Sequence, residues 1–85
     1  MSFEKRVAVI TGATGGLGRV VAREWARGGA RLALIGTHLD RLTALAEEIR
    51  APTERLAAVE ADLTQAETAR RAAQTVLQRF GRVDM

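Results

Sequence analysis

Apolar residues along this chain fall into two rhythms. Short uninterrupted runs occupy positions 7–10, 32–35 and 56–59. Between them lie longer stretches in which apolar residues recur every three or four positions. An uninterrupted run of β-favouring or small apolar residues predicts a parallel strand covered on both faces. A three-to-four spacing predicts an amphipathic helix. The first helix is predicted over 17–27, with Leu17, Val20, Val21 and Trp25 on one stripe and Arg19, Arg23 and Arg27 toward water; Gly28-Gly29 ends it. A strand follows over 31–36. Leu39, Leu42, Leu45, Ala46 and Ile49 mark a helix over 39–49, broken at Ala51-Pro52-Thr53 because proline cannot continue a helix. The third strand is predicted over 56–61. Thr64 opens the third helix and Glu67 completes a capping box. Ala69, Ala72, Ala73, Val76, Leu77 and Phe80 form its apolar face, and Gly81 stops it. Arg82-Val83-Asp84-Met85 reads as the lead-in to a fourth strand.

Strand and helix thus alternate three times. Right-handed crossovers predict an α/β Rossmann-like parallel sheet in the order 3-2-1 with helices on both faces, the first half of a doubly wound domain. Residues 1–85 are expected to form one NAD(P)-binding-type unit that is incomplete at its C-terminal end. The first strand, central in a whole sheet of this kind, is an edge here, and self-association through it is expected. With 47% apolar and 27% charged residues the chain has the balance of a globular protein. It has no apolar run long enough to span a membrane. Residues 1–6 lead directly into the first strand without the pattern of a signal peptide. There is no cysteine, hence no disulfide framework or thiolate metal site. A cytoplasmic location is expected. The net charge of +3 does not point to nucleic acid, because the arginines are spread along helices among glutamates.

The first strand runs into Thr11-Gly12-Ala13-Thr14-Gly15-Gly16-Leu17-Gly18. Gly12 lets the chain turn off the strand, Gly16 lets the backbone approach a phosphate, and Gly18 lets the next helix pack against the sheet. The opening amides of that helix favour an anion, and a pyrophosphate is the expected occupant. The spacing TGxxxGxG resembles the cofactor signature of the short-chain dehydrogenase/reductase family. Gly12, Gly15 and Gly18 also satisfy TGxxGxxG, the form typical of the family's extended branch. The helix over 39–49 and Phe80-Gly81-Arg82-Val83-Asp84 look more like the shorter branch. The resemblance covers essentially the whole chain and implies NAD(P) contacts at Thr11, Gly12, Thr14, Gly15, Gly16, Leu17 and Gly18. Asp62-Leu63-Thr64 resembles the family's acidic motif after the third strand, which implies adenine contacts from Asp62 and the backbone of Leu63. Read from the residues alone, Asp62 is a helix-capping carboxylate near Thr64. Trp25, by its helical spacing, belongs to the core rather than to a base-stacking site.

Cofactor choice is read at the end of the second strand. An acidic residue there bonds a ribose 2′-hydroxyl, and a nearby arginine accepts a 2′-phosphate. This chain has Gly36, Thr37 and His38, with Arg41 one helical turn on. The acid is absent, and so are the arginine usual at the Thr37 position and a basic residue before Gly16. Thr37 and His38 offer hydrogen bonds to a phosphate, so NADP is expected over NAD; His38 also reads simply as an exposed loop residue.

The family's chemistry uses a tyrosine, a lysine, a serine and an asparagine motif. This chain contains no tyrosine and no asparagine; Lys5 is its only lysine and Ser2 its only serine. No catalytic or metal-binding constellation is present. Two readings follow. The chain is the N-terminal NAD(P)-binding portion of an oxidoreductase that moves hydride between cofactor and a small-molecule carbonyl or alcohol, or it is a stand-alone nucleotide-binding module without activity. The sequence following Met85 separates them. A Tyr-x-x-x-Lys pair there supports the first.

Overall fold

Each apolar run forms a strand and each periodic stretch a helix. The computed structural model describes residues 5–13 and 15–84. In chain order these are β1 (Val7–Thr11), α1 (Gly16–Arg27), β2 (Arg31–Gly36), α2 (Leu39–Ile49), a 3-10 turn (Thr53–Arg55), β3 (Leu56–Glu60) and α3 (Ala66–Phe80). The strands are parallel. Val7 stands opposite Arg31 and Thr11 opposite Ile35; Leu32 stands opposite Leu56 and Gly36 opposite Glu60. The order across the sheet is β1-β2-β3, the expected 3-2-1 read from the opposite edge.

Strand side chains alternate between two faces. Ala8, Ile10, Leu32 and Leu34 meet Ala22 of α1 and Leu42 and Leu45 of α2. On the other face Val7 and Ala33 meet Val76 of α3, and Ile35 meets Ala72. Leu32, Leu34, Leu42, Val7 and Val76 are the largest fully buried side chains. Each contributes roughly 1.5–3 kcal/mol by leaving water. Arg79, near the end of α3, donates from Nη2 to the carbonyls of Thr53 at 2.5 Å and Leu56 at 3.2 Å, tying the helix to the start of β3. No helix among the described residues is long and apolar enough to cross a membrane.

Three local expectations change. Leu17 and Val20 are 79% and 57% exposed; α1 packs instead through Ala22, with Val21, Trp25 and Ala26 partly buried against the core. No described element covers the first turn of α1 on that side. Leu77 is likewise 50% exposed, and it lines a groove with Val9 and Val83 beside the outer edge of β1. The capping box does not form. Helix α3 begins at Ala66 with Gln65 as its N-cap. Thr64 is held one step earlier, its amide and hydroxyl donating to Asp62 Oδ1 at 3.0 and 2.6 Å. An aspartate two residues ahead competes well for these donors. Glu67 pairs instead with Arg70 at 2.5 Å and Arg71 at 3.4 Å.

After α3 the chain returns to β1. The Asp84 amide donates to the Val7 carbonyl at 2.7 Å. The Val7 amide donates to Asp84 Oδ2 at 3.0 Å, while Arg82 Nη2 holds Oδ1 at 2.5 Å. Arg82 and then the Val7 amide hold the Asp84 carboxyl below its ordinary value. The expected lead-in to a fourth strand therefore lies against β1 as far as Asp84. Met85, like the N-terminal residues 1–4, is outside the described residues.

Candidate functional site

Three parallel strands end on the same side of the molecule. The turn after Thr11, the junction after Gly36 and the loop after Glu60 therefore gather at one edge. Open α/β sheets bind ligands at this edge.

The glycine turn separates two kinds of requirement. Gly12 has φ +61°, a left-handed conformation that side chains disfavour. Its carbonyl accepts the Gly15 amide at 3.0 Å. A Cβ on Gly18 would stand 2.6 Å from the Gly12 carbonyl oxygen and 3.0 Å from Ala13 Cα, so α1 rests directly on the turn. Gly16 differs, since a Cβ there would meet nothing within 4 Å. Helix α1 has Gly15 as its N-cap, with no side-chain cap and no acidic residue in its first turn among the described residues. An open groove of about 550 Å³ runs from Val9 and Thr11 past Gly12 and Gly16 to Val21 and Trp25. Trp25 also packs on the main core, as its spacing predicts. Leu17 lines the same groove. Thr14, an expected contact, lies outside the described residues.

Leu63 is 41% exposed and shares a second, apolar groove with Thr11 and Ile35. Asp62, at the mouth of β3, is partly buried. Hydrogen bonds from the Thr64 hydroxyl and then its amide hold the Asp62 carboxyl below its ordinary value. Thr68 donates its hydroxyl to the Asp62 carbonyl, bracing the loop from α3. Asp62 closes a turn with Thr64 rather than capping α3.

The junction after β2 is arranged differently. The Gly36 carbonyl accepts the Ala61 amide at 2.9 Å. Thr37 Oγ1 and His38 Nδ1 are hydrogen-bonded to each other at 3.0 Å, both exposed. His38 is the N-cap of α2 but contributes no side-chain cap. That place is taken from another strand, with the Leu39 amide donating to Glu60 Oε2 at 3.2 Å. In the sequence Glu60 is only the polar end of a strand. The one signal that locates it is the register that sets it opposite Gly36. Arg41 lies in a groove between α1 and α2 with Arg19 and Glu48. Glu48 pairs with Arg19 at 2.7 Å and also with Arg23. Among the described residues no group of three or more acidic, histidine or cysteine side chains is arranged to hold a metal.

Comparison with known proteins agrees with this geometry. A family model described as short chain dehydrogenase matches residues 6–85. The chain is 42% identical over 79 residues to an A-factor type gamma-butyrolactone 1′-reductase (1S-forming) of Streptomyces virginiae, covering 93% of this chain and 31% of that protein. A short-chain dehydrogenase/reductase ("glucose/ribitol dehydrogenase") from Brucella melitensis superposes with a TM-score of 0.91 at 37% identity, covering 99% of this chain and 36% of the other. A 3-ketoacyl-(acyl-carrier-protein) reductase from the same organism, solved with NADH, superposes with a TM-score of 0.88 at 34% identity, covering 98% and 33%. The chain spans about a third of the length of these proteins.

Proposed function

Because this chain belongs to the short-chain dehydrogenase family, we propose that it is the N-terminal NAD(P)-binding portion of an oxidoreductase that moves hydride between the cofactor and a carbonyl or alcohol. The observation that carries the reading is the contrast within the glycine turn. Gly12 and Gly18 answer demands of the fold, whereas the bare backbone at Gly16 faces open space beside uncapped helix amides. A pyrophosphate fits that arrangement, as backbone donors and a helix N-terminus both favour it. Thr11, Gly12, Thr14, Gly15, Gly16, Leu17 and Gly18 are its proposed contacts. Asp62 and the Leu63 backbone take the adenine, and Gly36, Thr37 and His38 line the ribose.

The cofactor supplies the hydride, and the residues present here bind and orient it. The chain has no tyrosine and a single lysine, Lys5, ahead of β1. The proton-transfer groups of the reaction are therefore proposed to lie outside these 85 residues. As an isolated piece the chain is proposed to bind cofactor weakly, to show no turnover and to associate through the exposed edge of β1. Taken by themselves, Gly36 to His38, which lack an acid, support NADP over NAD, and the Glu60 carboxylate on the neighbouring Leu39 amide counts against a 2′-phosphate. Calorimetry with NADH and NADPH tests the reading, with binding expected for the wild type and lost in Gly16→Val. Undiminished affinity in a folded Gly16→Val protein refutes it. Carbonyl-dependent NADPH oxidation by the 85 residues alone would refute the assignment of catalysis elsewhere.

A further inference from the structure

We infer that Glu60, reaching across from β3, supplies the acidic group missing from the end of β2 and biases the site toward a free ribose 2′-hydroxyl, hence toward NAD over NADP. The inference rests on the dinucleotide reading above. It begins with register. Gly36, where the acid of an NAD site is sought, is paired with Glu60. Paired residues of parallel strands point to the same face, so Glu60 projects toward α2, and its Oε2 accepts the Leu39 amide at 3.2 Å. A 2′-phosphate entering here would seek the same α2 amides and would find a carboxylate already on one of them. Asp40, in the first turn of α2, adds a second negative charge. The groups that would welcome the phosphate are weakly placed. Thr37 and His38 are bonded to each other. Arg41 shares its groove with Glu48. Arg19 is paired with that same glutamate. A 2′-hydroxyl, by contrast, can donate to a carboxylate at no electrostatic cost.

The test is the ratio of NAD to NADP affinities of the full chain, measured by calorimetry for wild type, Glu60→Gln and Glu60→Asp. The wild type is expected to favour NAD. Glu60→Gln keeps an acceptor for Leu39 and removes the charge, and it should shift the ratio toward NADP by roughly threefold to tenfold, the range for an exposed to partly desolvated charge contact. Glu60→Asp, which withdraws the carboxylate by one methylene, should shift it less and in the same direction. A wild type that favours NADP overturns the inference without any variant. So does a ratio unchanged in Glu60→Gln, or in Glu60→Asp should Glu60→Gln fail to fold. In either case the dinucleotide reading survives. Binding of neither cofactor by the wild type removes that reading and this inference together.

Discussion

The turn after β1 and the junction after β2 lie at the same edge of one sheet, and they are built by opposite means. The turn is made of backbone. Gly12 adopts a left-handed conformation, Gly18 admits the carbonyl of Gly12, and Gly16 leaves space. Everything it needs lies within eight consecutive residues. The junction is made of side chains, and its most telling one comes from another strand, 21 positions away from the amide it meets. The difference shows why a glycine signature is legible in one dimension while a specificity determinant need not be. Backbone conformation is a property of neighbours in sequence, whereas a charge acts on whatever the fold brings beside it.

Gly18→Val is expected to have the largest effect. Its Cβ would lie 2.6 Å from a backbone oxygen, an atom that cannot swing aside. Overpacking of this kind costs roughly 1–3 kcal/mol, a large share of the stability of an 85-residue chain. Urea denaturation should show a clear fall in midpoint, and an unchanged midpoint would mean that α1 does not rest on the turn. Gly16→Val sharpens the contrast. It should leave stability within about 0.5 kcal/mol, as for an exposed position, while cofactor binding disappears. Equal destabilisation by the two variants would erase the distinction between a glycine for the fold and a glycine for the ligand.

Gly36→Asp addresses the junction. Its Cβ would meet the Leu42 Cδ2 methyl at 3.3 Å, the flexible end of a side chain, so the fold should accommodate it. In a Glu60→Gln background it should return the affinity ratio toward NAD by about threefold to tenfold; in the wild type it should add little. Additive shifts in the two backgrounds would show that the carboxylates at 36 and 60 do not serve the same place.

The open edge of β1 offers a smaller third case, in which a side chain does a backbone's work. Asp84 Oδ2 accepts the Val7 amide, and the carboxyl is held below its ordinary value of 3.8 by Arg82 and that amide. A lowered carboxyl pKa means that the folded state prefers the ionised form. The contribution is therefore present above pH 3.8 and is lost as pH falls through the lowered value. Hydrogen-exchange protection of the Val7 amide, corrected for intrinsic rate, should fall on acidification below that point and be flat in Asp84→Asn. A pH-independent wild type would show that Asp84 does not hold this edge in solution.

The alternation of apolar runs and helical stripes was sufficient to place three strands and three helices within a residue or two, because burial of one face imposes a period on the sequence. The glycine turn was legible for the same local reason. Tertiary structure decided the rest. Leu17, Val20 and Leu77 satisfy a helical stripe yet stay exposed, since periodicity tells which residues share a face and not whether a neighbour covers it. Thr64 and Glu67 have capping-box spacing, but Asp62 and Arg70 engage them first, a competition that spacing alone does not rank. Glu60 acquires its place only when parallel pairing sets it opposite Gly36. Registry between strands is settled by the packing of both faces of the sheet at once, and no stretch of the chain carries that information by itself.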